Sequence, residues 1–424
     1  MTKFLLKGLL RDRNRSLFPV LIVTVGVATS IVMYCFMHGF MDEAVRSNAR
    51  LDTGHVKIVT RGYREIATQL PNDLALAGID GMLPALERDY PGMEWTPRIK
   101  IAGLLDIPDE SGETRAQGPT FGIAVDLLGA GSKEAERLQL GGALVRGRLP
   151  ESPGEILVSE EFASNLGAGI GETATLISAT SYGSMAVQNF TIAGTLRFGI
   201  GALDRNTVIA DIADIQYALD MPDGAGEILG FFPNLVYDER AADRIADSFN
   251  RGVEQPLDDF SPVMVTLRDQ NGLGEYLDLA RFRISVILFI FFFVMSIVLW
   301  NAGLMSGIRR YGEIGVRLAI GESKGHVYRS LLWESFLIGI LGSITGTAAG
   351  LAVSYYLQEV GLDISGMMKE STILIANIIR AKIDPLAYYI GFVPGLAGTF
   401  LGRAASGIGI FRRQTAQLFK ELEA

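Results

Sequence analysis

Two apolar runs, Ile284 to Met305 and Leu331 to Leu357, flank a short basic segment, and no other feature constrains the chain as tightly. Each run is long enough to cross a bilayer as a helix, which takes roughly 20 residues. The segment between them, Ser306 to Glu334, carries Arg309, Arg310, Arg317, Lys324 and Arg329 against Glu313 and Glu322. Basic loops stay on the cytoplasmic side, so this linker is expected to face the cytosol. Its pattern is also helical. Ile314, Leu318 and Val327 recur on one face, and Gly315, Ala319 and Gly321 would keep the backbone close to whatever it meets. A short helix held between two spans against a cytosolic surface can carry motion from a soluble partner into the bilayer.

The remaining spans follow from the same reasoning. Leu17 to Phe40 is far longer than the ~7–15 apolar residues of a cleavable signal segment, so 17–40 is expected to be an uncleaved first span. Before it, in residues 1–16, Phe4, Leu5, Leu9 and Leu10 alternate with Lys3, Lys7, Arg11, Arg13 and Arg15, the pattern of an amphipathic helix on the inner membrane face. The second span is placed at 284–307, the linker at 308–330, the third span at 331–357, an external loop at 358–384 and the fourth span at 385–409. The tail 410–424 carries Arg412, Arg413 and Lys420, which puts both termini in the cytosol. Residues 41–280 carry 19 Lys/Arg against 37 Asp/Glu, a net of −18, and the rest carries 19 against 10, a net of +9. Topology sorting across a membrane gives this segregation, and an acidic external block does not suggest nucleic acid. The single cysteine, Cys35, lies inside the first span, so no disulfide is expected within one chain.

The fold class expected is therefore a multi-pass α-helical membrane protein with four transmembrane helices and a large extracytoplasmic α/β domain, 41–280, between the first two. Strands are expected at Val56–Thr60, Ile99–Ile107, Thr120–Val125, Glu155–Ser159, Thr173–Ile177, Phe190–Leu196, Asn206–Ala210, Leu235–Tyr237 and Val263–Leu267, with helices at Gly81–Tyr90, Glu160–Leu166 and Arg240–Arg251. The composition shifts along this domain: 41–130 and 226–270 read as α/β, and 131–225 reads as more β-rich. Residues 271–283 would form a stalk continuous with the second span, since neither Pro nor Gly interrupts Glu275 to Asn301. Gly342, Gly346 and Gly350 are spaced four apart in the third span and present a small-residue face, to be met either within one subunit or by another. Pro394 and several glycines predict a kinked, closely packed fourth span, and Ile373–Ile379 gives the external loop an apolar helical core.

Arg310-x-x-Glu313-Ile314-Gly315-Val316-Arg317-x-Ala319-Ile320-Gly321 resembles the signature of the MacB/FtsX/LolE-type ABC transporter permeases. The start of the external domain, Gly39-Phe40, Asn48, Gly54 to Ile58 and Tyr63, resembles the LolC/LolE branch, and so does the run from Gly147 through Gly154–Ser159 to Gly171-Glu172. The resemblance implies a MacB-type periplasmic core, in which 41–130 and 226–270 form one α/β lobe with the β-rich lobe 131–225 inserted, and a bacterial inner-membrane location. It implies a permease dimer, made with a second copy or a paralogue, working with two copies of a separate ABC ATPase docked on the linker. In that arrangement ATP and Mg²⁺ are bound by the ATPase, and none is bound by this chain. It further implies lipoprotein cargo, with acyl chains and membrane lipid meeting spans one and two near Met33 and Val294. An efflux adaptor or a cell-wall hydrolase as the driven partner stays open, as does a membrane receptor without an ATPase.

The chemistry absent from the sequence agrees with a non-enzymatic subunit. There is no Gly-x4-Gly-Lys-Ser/Thr, no Gly-x-Ser-x-Gly and no His-Glu-x2-His. His55 stands far from His38 and His326, so a metal site is not expected.

Overall fold

The computed structural model describes residues 13–253, 258–363 and 378–412. The expected amphipathic helix before residue 13, most of the external loop and the tail beyond residue 412 lie outside them. The chain divides into two units. One is built from the apolar helices and includes Leu279–Leu362, and the other takes up Glu43–Asp278.

The first helix, α1, runs Arg13–Asn48 and passes into a π turn, Ala49–Thr53. A ten-stranded sheet follows: β1 (Val56–Thr60), β2 (Glu94–Pro108), β3 (Thr114–Val125), β4 (Leu144–Gly147), β5 (Glu155–Ser159), β6 (Thr173–Ala179), β7 (Met185–Leu196), β8 (Thr207–Asp211), β9 (Glu227–Phe231) and β10 (Pro262–Thr266). Its order is β10-β1-β9-β2-β3-β8-β5-β7-β4, with β6 pairing β2 and β7. The pairs β3–β8 and β5–β7 are parallel and the others antiparallel. Helices α2 (Ile79–Asp89), α3 (Glu160–Leu166), α4 (Ile212–Ala218) and α5 (Glu239–Gly252) cover it.

Three hydrophobic cores lie in this domain; one, around Leu51, Val125, Leu157, Leu196 and Ile209, spans both expected lobes, and the membership of the other two corrects the division expected from sequence. Of these two, one joins Val56, Ile58, Leu76, Leu86 and Trp95 to Ile228, Ala242 and Met264. The other joins Ile99, Ile101, Leu105, Ile107 and Ala124 to Ile156, Phe162, Phe190 and Ile192. The break falls inside β2 rather than at residue 130. Residues 94–98 of this long strand pair with β9, and 104–106 pair with β6, so one strand serves both halves. The expected strand Leu235–Tyr237 is a loop instead. Leu235 has a φ of 52° after the turn at Pro233-Asn234, and the pairing strand lies earlier, at β9.

In the apolar unit α6 spans Leu273–Ile308 as one uninterrupted helix, followed by α7 (Tyr311–Ala319) and α8 (Lys324–Val360). Among the described residues three helices are long and apolar enough to cross a membrane: Leu17–Thr53, Leu273–Ile308 and Lys324–Val360. The fourth segment, expected at 385–409, is divided. Ala387–Ile390 is a helical turn, Val393–Gly398 a π turn, and Thr399–Arg412 forms α9. Pro394 supplies the reason, because it lacks an N–H and its ring crowds the preceding turn, so the hydrogen-bond ladder widens there. Of the expected helical core 373–379, the described part, Ile378–Ile379, is a short strand.

Candidate coupling site

The linker folds as three pieces rather than one helix over 308–330. After α6 ends, Arg309-Arg310 turn the chain and α7 occupies nine residues. Tyr311, Ile314 and Leu318 recur at helical spacing and pack on Val327 and Leu331 of α8 and Ile410 of α9. Val327 was expected to continue the same face, but it reaches this cluster from the next helix. Gly321 makes the difference: its φ of 101° turns the chain between α7 and α8. A side chain at Gly321 would meet nothing within 4 Å, so this residue serves the turn rather than a close approach.

The inward face is fixed by polar contacts as well. The Tyr311 hydroxyl donates to the Ser406 carbonyl oxygen at 2.7 Å. Arg310 is ion-paired with Glu334 on α8. Arg317 donates to both oxygens of Glu322, at 2.7 and 2.8 Å, bracing the turn after α7, and this pairing holds the Glu322 carboxyl below the usual carboxylate range.

The signature residues therefore separate by face. Ile314 and Gly315 are buried, and Arg310 and Arg317 are engaged within the chain. Glu313, Val316, Ala319, Ile320 and Gly321 are exposed, with Ile320 82% and Val316 42% accessible. An apolar side chain this exposed on a helix whose other face is locked presents a rigid contact point.

The remaining candidates are placed as follows. Side chains at Gly342, Gly346 and Gly350 would collide with Val23, Val27 and Ile31 of α1, at 2.6, 2.7 and 3.0 Å, so within this chain the glycine stripe is the seat of the first helix. Met33 is half-buried on α1, and Val294 is exposed on α6. Of the apolar window of α6 only 6% is buried inside the chain, against 39% for α1 and for α8. The α6 face is thus the largest unmet apolar surface among these helices.

Sequence reasoning missed a buried charge network in the sheet domain. Lys57 binds Glu227 at 2.6 Å, and Lys100 is paired with Asp52. Arg98, fully buried, donates from Nε to Glu134 at 2.9 Å and from Nη1 to the carbonyls of Arg50 and Leu51. Burial alone would raise the Asp52 carboxyl, but Lys57 and Lys100 outweigh it and hold it well below its ordinary range. The signal was present: Arg98 and Lys100 alternate with Ile99 and Ile101 in a strand, which puts two cations on one face of a buried sheet. His55 is buried beside this region. Its Nδ1 accepts the Phe232 N–H at 2.9 Å, and its ring stacks on Phe232.

These features define a class of protein: a membrane subunit with a large sheet domain following its first apolar helix and a short, surface-presenting helix between two later ones. Residues 16–247 match the family described as MacB-like periplasmic core domain, and residues 285–415 match that described as FtsX-like permease C-terminal. The chain belongs to this FtsX/MacB-like family of ABC transporter permeases. It is 32% identical over 111 residues to the macrolide export ATP-binding/permease protein MacB of Psychrobacter cryohalolentis, covering 26% of this chain and 16% of that one. The match therefore spans about a sixth of that relative's length. It is 22% identical over 354 residues to the lipoprotein-releasing system transmembrane protein LolC of Xylella fastidiosa, covering 81% of this chain and 78% of that one. The periplasmic region of MacB from Actinobacillus actinomycetemcomitans aligns at a TM-score of 0.36 and 11% identity, covering 52% of this chain and 93% of that one.

Proposed function

We propose that this chain is the transmembrane subunit of an ATP-driven transporter of the bacterial inner membrane, that a separate ABC ATPase docks on the exposed face of α7, and that the output is release of lipoproteins. The carrying observation is the split personality of α7: Tyr311, Ile314 and Leu318 are locked onto α8 and α9, while Val316 and Ile320 are presented outward. Such a helix passes a push from below to the spans it packs on. ATP and Mg²⁺ belong to the partner. In this reading four segments cross the membrane, both termini are cytosolic and the sheet domain is periplasmic. The bare α6 face meets a second permease copy or a paralogue, membrane lipid, and the acyl chains of the cargo. The LolC likeness, running over four fifths of the chain, supports lipoprotein release. The MacB likeness supports a second output, the driving of a periplasmic partner such as an efflux adaptor. A photo-crosslinking residue at Met33 or Val294 decides between them. Capture of lipoproteins supports release; no capture, with an adaptor or hydrolase copurifying, favours the second output.

A further inference from the structure

Glu334 sits between two arginines that come from different helices. Arg310, where the linker helix begins, is ion-paired with Oε1. Oε2 lies 3.8 Å from Nη2 of Arg403 on α9. Arg403 is 2% exposed, and its Nη1 donates to Ser306 Oγ on α6 at 2.7 Å. Its Nε and Nη2 have no hydrogen-bond partner among the described residues.

A guanidinium carries five N–H donors in a fixed fork, and leaving donors unused in a buried place is unfavourable. A merely structural ion pair would close that gap. Here one carboxylate serves two cations unequally: the one at the start of the linker helix holds it tightly, and the one on α9 is left under-paired. Withdrawing Arg310 would strand a carboxylate in a low-dielectric setting unless Arg403 took it over. That handover needs Arg403 to approach by only about 1 Å, from 3.8 Å to ordinary charge-assisted hydrogen-bond length.

We propose that Glu334 and Arg403 are positioning residues that form an exchange switch: Arg310 holds Glu334 in the conformation seen here, and displacement of the linker helix passes Glu334 to Arg403, so that α9 follows. The proposal rests on the reading that an ATPase displaces α7. It adds two residues outside the signature and names what they do, biasing an element with two discrete arrangements.

The test uses the full chain in nanodiscs with the ABC ATPase that copurifies in mild detergent. Spin labels replace the exposed Met305 on α6 and Ile408 on α9, with Cys35→Ala removing the native thiol. The label separation is measured by pulsed EPR with and without ATP plus vanadate. Wild type should show a nucleotide-dependent shift. Glu334→Gln should hydrolyse ATP at a rate near wild type and lose the shift, and Glu334→Asp should restore it. Arg403→Gln carries the same prediction as Glu334→Gln if that variant does not accumulate. A wild-type shift in Glu334→Gln overturns the exchange. So does loss of ATPase association in Glu334→Gln, which would place the residue in docking instead. If wild-type chain recovers no ATPase, the docking reading fails and the exchange falls with it.

Discussion

Nη1 of Arg98 donates to the carbonyl oxygen of Arg50 at 3.0 Å, tying a central strand of the sheet domain to the π turn that follows α1. The same guanidinium holds Glu134 through Nε, and Glu227 stands opposite Arg98 in the strand register. Removing the cation strands a buried carboxylate. Arg98→Met should therefore destabilise the domain by roughly 3–5 kcal/mol, with Arg137 on Glu134 limiting the loss. The measurement is thermal unfolding of the full chain in nanodiscs. Arg98→Met/Glu134→Gln should recover part of the loss, and an unchanged midpoint for Arg98→Met alone would show that the network adds nothing.

His55 makes the domain sensitive to acid. Burial, reinforced by the nearby Arg137 charge, lowers its pKa to about 4, against 6.5 ordinarily. The folded state thus prefers neutral imidazole, which accepts the Phe232 N–H. Between pH 6.5 and 4 the unfolded chain binds the extra proton, so stability is fully present above 6.5 and is lost as pH falls through that window, by on the order of 3 kcal/mol in total. Unfolding midpoints measured from pH 7 to pH 5 should fall for wild type, and the His55 contribution to that slope should vanish in His55→Gln. Equal slopes for the two would refute the assignment.

Gly346 tests whether the glycine stripe seats α1 within one subunit. A Cβ there would lie 2.7 Å from Val27 Cβ, so Gly346→Val forces α1 away from α8 at a cost of about 1–3 kcal/mol. The expected outcome is a lower unfolding midpoint with the oligomeric state unchanged by light scattering. A variant of wild-type stability that dissociates into single permease chains would instead make this face a subunit contact.

What was legible in the sequence followed from local periodicity. The apolar runs gave α1, α6 and α8, and β1, β5 and α3 carry the bounds their patterns predict. What was hidden depended on partners distant in the chain. The break between the Trp95 core and the Ile99 core lies within β2, because which neighbour a strand meets is decided by sheet order and not by its own pattern. The linker pattern looked continuous to Val327 because a tight turn at Gly321 returns the next helix to the same cluster. Glu334 and Arg403 stand far apart in the sequence, and only the packing of α8 against α9 brings them to 3.8 Å.

The outward face of α7 carries the functional reading, so its test must separate docking from folding. Ile320 is 82% exposed and Val316 42%, so polar replacements there should shift stability by no more than about 0.5 kcal/mol. A docked ATPase would desolvate both side chains. Ile320→Asp should then weaken ATPase association in a mild-detergent pulldown by roughly tenfold, equivalent to about 1.4 kcal/mol. Leu318→Ala disturbs the inward cluster, so it should lower the unfolding midpoint before it weakens association. Glu313→Arg inverts an exposed charge on the same face and should reduce ATP hydrolysis by the complex. If hydrolysis and transport are unaffected by Glu313→Arg, that residue leaves the proposed contact. If Ile320→Asp binds the ATPase as wild type does, the docking face lies elsewhere, because no buried apolar contact tolerates a carboxylate at its centre.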